Sequence, residues 1–277
     1  MRRNKNMLKL ENITVLFDDL KALDHVNMEF MEGKITGIIG TNGSGKSTLM
    51  KVMTKLLKPQ EGSVYLDQQL IQDKKKDLFS YRQEVNMVFQ NPEQQLFYTI
   101  AKDDIGMALE NLGYSKEECE KRVQEAIELM DIEELQDRPV QYLSYGQKKK
   151  VAIAGMLALK PRFLLLDEPT AGLDPKGRDQ MAMIMKKLVS NGTSIIVTSH
   201  DMDLMYDCCD YAYLIKKGQI MTQGTKYEVF QEEKLLLDAG LSVPWVVKLH
   251  QAIQTPLVEN EEILFEQLKE GYLWQNH

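Results

Sequence analysis

The sequence predicts an α/β fold: a mostly parallel sheet with an antiparallel β portion at its start, a block of helices inserted between its halves, and a small α-helical appendage at its end. Three observations lead there. Strand-like runs rich in branched apolar residues fill the first third, helical spacing takes over from Thr99 to about Lys160, and strands then return in alternation with a helix. Leu8 to Phe17, Leu23 to Phe30 and Ile35 to Ile39 read as the first strands, separated by polar turns. Lys46 to Leu57 has helical spacing, Gly62 to Asp67 carries a hairpin signal, and Val85 to Phe89 is a short apolar strand. Within the helical block, Val123, Ala126, Ile127 and Met130 fall at i, i+3, i+4 and i+7, a stripe best explained by core packing. Phe163 to Leu166, the helix Arg178 to Leu188, and Ser194 to Val197 form a strand–helix–strand unit, which demands a right-handed crossover and parallel neighbours; Tyr211 to Ile215 adds a further strand. Beyond Lys226, helix-like stretches run from Tyr227 to Ala239, Pro244 to Ile253 and Glu261 to Glu270. The expected organisation is a main domain over residues 1–225, with its helical subdomain at about 92–160, and a small helical segment over 226–277.

Bulk properties narrow the function classes. With 277 residues, 43% apolar and 27% charged, the chain can bury a substantial core and contains no low-complexity segment. The 34 basic against 41 acidic residues leave a net charge of -7, the wrong sign for a protein that wraps phosphate backbones, so nucleic acid is a poor candidate partner. Cys119, Cys208 and Cys209 form no spaced framework, and a reducing, cytoplasmic setting fits. The basic opening Met1 to Met7 is followed by the charged Leu8-Lys9-Leu10-Glu11 rather than an apolar stretch, unlike a signal peptide. No apolar run approaches the roughly 20 residues that a spanning helix needs, so service at a membrane would require a membrane partner.

Gly40-Thr41-Asn42-Gly43-Ser44-Gly45-Lys46-Ser47 matches the phosphate-loop pattern in full and lies between an apolar strand and a helix. Its glycines let backbone amides converge on phosphate oxygens at the positive end of the following helix, which Ser47 and Thr48 open; Lys46 would reach the β- and γ-phosphates and Ser47 would hold Mg²⁺. A glycine-rich turn with a chance lysine is the bland alternative, and its strand–helix context argues against it. Phe163 to Leu166 runs into Asp167 and Glu168, so both carboxylates arrive at the crevice beyond the strand's carboxyl end. Asp167 can orient Mg²⁺ and its waters, and Glu168 can take the proton from an attacking water. Strand-ending carboxylates are common; the phosphate loop gives this pair its meaning. His200 follows the strand Ser194 to Ser199 to the same sheet edge, where it could donate to the γ-phosphate. His25, His250 and His277 have no such context. Leu143-Ser144-Tyr145-Gly146-Gln147 precedes the helical run from Lys148 and makes a second candidate anion site, although one ATP cannot use both sites of one subunit at once.

The phosphate loop, Gln90 after an apolar strand, Leu143 to Gln147, Leu166-Asp167-Glu168-Pro169-Thr170, Leu173-Asp174-Pro175 and His200 stand in the order seen in ATP-binding-cassette ATPases, which the chain resembles from residue 8 to about 222. The resemblance implies a phosphate-loop NTPase sheet core, ATP hydrolysis with Mg²⁺, and a peripheral position on the cytoplasmic face of the membrane. It implies that Ser144, Tyr145, Gly146 and Gln147 close over ATP held by another subunit, that Gln90 joins metal and water to a membrane partner, that Asp174 communicates between the two sites, and that Phe17 stacks on adenine. The segment Val88 to Phe97, the run Lys148 to Gly155 and the helical tail look like the energy-coupling-factor group, especially its cobalt- and nickel-type ATPases. Implied partners are a second copy or a related ATPase, together with transmembrane coupling and substrate-binding subunits.

Three departures stand out: Tyr145 in place of a signature glycine, Lys150 where arginine is common, and Phe17 where tyrosine is usual. Asp203, Asp207 and Asp210, read as one helix face, could be taken for a metal store, but carboxylates alone suit cobalt or nickel poorly and a solvated acidic face is the simpler reading. The rivals are a soluble cassette protein acting on DNA or the ribosome, which would carry a coiled-coil insertion or tandem cassettes, a small-molecule kinase, which would leave Ser144 to Gln147 unexplained, and an exporter or vitamin-importer ATPase sharing the same engine.

Overall fold

The computed structural model describes residues 7–254, 257–259 and 261–269. A four-stranded antiparallel sheet is built from β1 (Met7–Phe17), β2 (Leu20–Met31), β4 (Glu61–Leu66) and β5 (Gln69–Leu70), in the order β2-β1-β4-β5. The second sheet has six strands, in the order β10-β9-β3-β8-β7-β6, from β3 (Ile35–Ile39), β6 (Val85–Val88), β7 (Phe163–Asp167), β8 (Ser194–Ser199), β9 (Tyr211–Lys216) and β10 (Gln219–Thr225). The run β9-β3-β8-β7-β6 is parallel and β10 closes one edge antiparallel.

Both faces of the parallel sheet are covered, which is why its strands read as continuous apolar runs. Alternate side chains feed two separate cores. Ile38, Phe163, Leu165 and Ile196 pack toward the antiparallel sheet and α1 (Lys46–Met53). Ile35, Ile39, Leu164, Leu166, Ile195 and Val197 face the helical side. The layers are stitched by polar contacts: Tyr213 Oη donates to the Glu29 carbonyl at 2.9 Å, and Arg162 forks onto both oxygens of Asp67 at 2.8 and 2.9 Å.

The helical block consists of α3 (Ala101–Asn111), α4 (Lys116–Leu129) and α5 (Tyr145–Leu157), with Ser115 capping α4 and a Ser144–Gln147 capping box opening α5. Ala126, Ile127 and Met130 of the expected stripe are buried. Between β7 and β8 runs α6 (Pro175–Ser190), and α7 (Met202–Cys208) follows β8.

Several expectations are revised. The helix expected to reach Leu57 ends at Met53, where Lys55 turns into the left-handed region at φ 56°. The helix α2 (Lys75–Glu84) was not legible because it buries only Tyr81, and β10 not because its residues alternate weakly around an exposed edge. The expected helix over 227–239 is two, α8 (Lys226–Phe230) and α9 (Glu233–Asp238), each with its own start. With α10 (Trp245–Ile253) and α11 (Glu261–Lys269) they form the helical end of the chain; Glu270 lies outside the described residues. That end is no loose appendage: Phe230, Leu236, Val246, Val247, Val258 and Leu264 enter the core on the helical side of the sheet. Tyr206 Oη donates to the Val258 carbonyl at 2.6 Å and Lys226 Nζ to that of Glu259 at 2.7 Å.

Candidate functional site

The parallel register brings four chain segments to one edge. Ile39 pairs with Ser199, Thr198 with Asp167, and Leu166 with Val88, so the residues that follow β3, β8, β7 and β6 emerge side by side at the carboxyl ends of adjacent strands. Those residues are the phosphate loop, His200, Glu168 and the Phe89–Gln90 turn.

The loop wraps the N-terminus of α1. Gly43 and Gly45 hold φ of 78° and 110°, conformations that side-chain-bearing residues rarely adopt. Gly40 is required for space: a Cβ there would lie 2.5 Å from the Ile215 carbonyl oxygen and 2.6 Å from Ser44 Oγ. The first amides of α1, at Lys46, Ser47 and Thr48, have no intrahelical acceptor and point out of the helix start. Ser47 is exposed and Thr48 half-buried, whereas Lys46 is buried; its Nζ donates to the Gly40 and Thr41 carbonyls at 2.7 and 3.1 Å and stands 3.4 Å from Glu168 Oε1. Thr41 is half-buried and Asn42 exposed at the loop tip. Phe17, at the end of β1, keeps its ring half exposed.

Asp167 and Glu168 are each only 6% exposed. One hydroxyl orients both: Thr198 Oγ1 donates to Asp167 Oδ1 at 2.7 Å and accepts the Glu168 amide at 2.9 Å. Glu168 Oε2 lies 2.9 Å from His200 Nδ1, and because a carboxylate only accepts, Nδ1 is the donor. Glu168 Oε1 and Ser44 Oγ are buried without a hydrogen-bond partner, so this crevice holds oxygens left for something else to satisfy.

A second cluster lies elsewhere on the surface. Ser144, Tyr145, Gly146 and Gln147 line a cavity of about 570 Å³ together with Asp174 and Lys150; none of its lining residues belongs to the phosphate loop. Asp174 caps α6, its Oδ1 accepting the Gly177 amide at 2.8 Å. Tyr145, the residue that departs from the usual glycine, donates its hydroxyl to the Gln90 carbonyl at 3.1 Å; the Gln90 residue itself is exposed. Lys46, Asp167, Glu168 and His200 thus form one group and Ser144 to Gln147 with Asp174 another, while Gln90, at the strand-end edge of the first, is tied by its backbone carbonyl to Tyr145 of the second.

Sequence reasoning missed three residues here. Thr198 is a polar yet fully buried residue that directly follows the apolar run Ile195 to Val197 in β8, a signal that was available. Lys149 is 2% exposed, and burial pushes its ammonium down to about 8. Gln95, half-buried beside the exposed Gln94, turns inward, accepting the Phe89 amide at 2.7 Å and donating to the Met87 carbonyl at 3.0 Å. The carboxylate face of Asp203, Asp207 and Asp210 is not formed: α7 ends at Cys208, Asp203 accepts the Trp245 amide and Asp210 that of Ile35.

Phosphate loop, strand-end carboxylates and their placement on this sheet define a phosphate-loop ATPase. A profile for the ABC transporter family matches residues 23–171. The cobalt import ATP-binding protein CbiO of Salmonella typhimurium is 44% identical over 263 residues, covering 95% of this chain and 97% of that protein. Among solved structures, CbiO1 of Clostridium perfringens, part of the ABC transporter complex CbiONQ, superposes with a TM-score of 0.77 at 36% identity, covering 88% of this chain and 98% of that one. The ATP-binding cassette MJ0796, dimeric in a post-hydrolysis state bound to ADP and Pi, superposes with a TM-score of 0.71 at 30% identity over 79% of this chain and 98% of its own. The chain belongs to the ABC transporter family and is an ATP-binding, ATP-hydrolysing subunit. Among the described residues, no helix is long and apolar enough to cross a membrane.

Proposed function

We propose that this chain drives a micronutrient importer of the energy-coupling-factor type, with cobalt or nickel ion as cargo, by hydrolysing ATP between two cassette subunits at the cytoplasmic face of the membrane. The observation that carries the composite site is the separation of the two clusters. The phosphate loop with Glu168 and His200 forms a holding half, and Ser144 to Gln147 beside Asp174 a closing half that faces a different cavity of the same chain. Two copies placed head to tail complete both, in a twofold arrangement that uses the same patch twice. A related second ATPase in place of the copy satisfies the same geometry.

In this reading the α1 amides and Lys46 bind the β- and γ-phosphates, and Phe17 stacks on the adenine ring. Phosphate oxygens compete with Glu168 for the Lys46 ammonium, now 3.4 Å from Oε1, and leave that oxygen to accept the proton of the attacking water. His200 steadies the other oxygen from Nδ1, and the opposite edge of its exposed ring is the one that would meet the γ-phosphate. The residues fit Mg²⁺: hard oxygen donors from Ser47, Asp167 and Gln90 suit a small hard cation, and unsatisfied buried oxygens stand beside them. When bound, Mg²⁺ would neutralise charge on the β- and γ-phosphates. Closing and parting of the dimer would move the surface that holds the membrane subunits, for which the groove of about 300 Å³ lined by Glu93, Leu96, Phe97 and Tyr98 is the candidate seat. Asp104 accepts the Phe97 and Tyr98 amides, both at 2.7 Å, and gives that rim a defined shape.

The cargo and direction rest on similarity to CbiO and CbiO1 and on the Val88 to Phe97 resemblance. Two experiments test the proposal. Wild-type subunits mixed with Ser144→Arg subunits lose hydrolysis beyond simple dilution if sites are shared; strict proportionality to the wild-type fraction overturns the composite site. The complex purified with its native membrane subunits, reconstituted in vesicles, accumulates cobalt or nickel ion only with ATP; uptake of a vitamin instead, or outward transport, overturns the cargo.

A further inference from the structure

Glu168 carries its carboxylate on an unusual backbone. Its φ is 47°, the left-handed region, which is unfavourable for a residue with a Cβ and persists only where the surroundings impose it. The chain leaves β7 at Asp167, reverses through Glu168 and Pro169, and exposes three carbonyls, those of Glu168, Pro169 and Ala171, to one buried spot. Into that spot comes Lys149 from the second turn of α5. Its Nζ donates to the Glu168 carbonyl at 3.1 Å, to that of Pro169 at 2.8 Å and to that of Ala171 at 2.8 Å, which uses all three ammonium hydrogens. The cation also lies 5.1 Å from the centre of the Tyr145 ring, and that ring packs over Gly172, the next residue of the same turn. Thr198 holds the amide side of Glu168 and Lys149 the carbonyl side.

We infer that Lys149 is a positioning residue for hydrolysis: by clamping the three carbonyls after β7 it keeps Glu168 in its left-handed turn, and so keeps the carboxylate between Lys46 and His200. Lys149 touches neither the carboxylate nor the phosphate loop through any hydrogen bond of its own; it acts through backbone. The same side chain belongs to the helix that opens with Ser144 to Gln147, so one residue joins the holding half of a chain's site to the closing half that the same chain offers its partner. A displacement of α5 when Ser144 to Gln147 engage ATP on the partner would be felt at Glu168 through this clamp. The inference rests on the reading of Glu168 as the base.

The test is a double-mutant cycle on the full-length chain, with steady-state ATP hydrolysis and, separately, equilibrium binding of a fluorescent ATP analogue. Lys149→Met keeps the apolar stem and removes the donors; kcat falls by about tenfold or more while ATP affinity stays within about threefold, because the phosphate loop is not touched. In the Glu168→Gln background the same substitution changes the residual turnover by less than about twofold, since the group being positioned is already disabled. A purely structural lysine would lower affinity and turnover together and would lower turnover in both backgrounds, and either result overturns the inference. Should Lys149→Met not fold, Lys149→Arg carries the same test: it keeps charge and donors but alters their reach, and the inference requires reduced kcat with ATP affinity kept. If Glu168→Gln alone leaves hydrolysis intact, the reading of Glu168 has failed. If Glu168→Gln is inactive but Lys149→Met and Lys149→Arg both turn over like wild type, Glu168 stands and the positioning role of Lys149 falls.

Discussion

Replacing Thr198 by valine conserves shape and removes one hydroxyl from a residue that is 0% exposed. That hydroxyl makes two bonds at once, to the Asp167 carboxylate at 2.7 Å and from the Glu168 amide at 2.9 Å. Losing a hydrogen bond to a charged group costs about 1.5–3 kcal/mol, and a buried amide left without an acceptor about 1–3 kcal/mol. The added methyl offsets about 1 kcal/mol of this. The net expectation is about 3 kcal/mol of destabilisation, which for a chain of this size corresponds to about 6–12 °C in melting temperature. Thr198→Ser is the control: it keeps the hydroxyl and loses a methyl, costing about 1 kcal/mol. Melting of the purified chain, followed by circular dichroism or calorimetry, should therefore rank wild type above Ser above Val. A valine variant as stable as the serine one would refute the claim that this hydroxyl anchors the strand-end carboxylates.

Glu168→Gln should bind ATP as wild type does and lose nearly all hydrolysis, leaving a nucleotide-locked dimer in size-exclusion chromatography; unchanged turnover would remove Glu168 as the base. Gly40→Ala should lower both ATP affinity and stability by about 1–3 kcal/mol or more, because its Cβ would sit 2.5 Å from a backbone oxygen that cannot move aside, and an ATP titration with wild-type affinity would contradict the close packing. Cysteine at the exposed Gln94 should crosslink to the membrane subunit in the assembled transporter, whereas Gln95→Cys should crosslink poorly and loosen the Phe89 turn; equal crosslinking at both would mean that the inward hydrogen bonds of Gln95 do not persist in the complex.

The phosphate loop was legible because it is local: eight consecutive residues, glycines where left-handed backbone is needed, an apolar strand before and a helix after. Strands buried on both faces announced themselves by unbroken apolar runs, which is why β3 falls where it was expected, residue for residue. The edge elements β5 and β10 and the helix α2 stayed hidden because each buries little, and hydrophobic patterning reports burial before it reports hydrogen bonding. The end of the chain was recognised as helical, but its docking was not, since the amphipathic stripe of α10 says that a face is covered without saying by what.

By itself, then, the sequence determined the fold class and the family and put forward the candidate residues for phosphate, metal and water, because these reside in short patterns whose chemistry is complete within a few neighbouring positions. Tertiary structure alone decided which of them meet. The register of β3, β8, β7 and β6 puts Lys46, His200 and Glu168 together and leaves Ser144 to Gln147 on another surface. Thr198 and Lys149 acquire their roles from partners 30 and 19 residues away, and Gln95 turns inward because the amide and carbonyl of the strand end it closes stand within its reach. A side chain's orientation depends on which distant groups the folded chain brings within about 3 Å of it, and spacing along the chain carries no record of that.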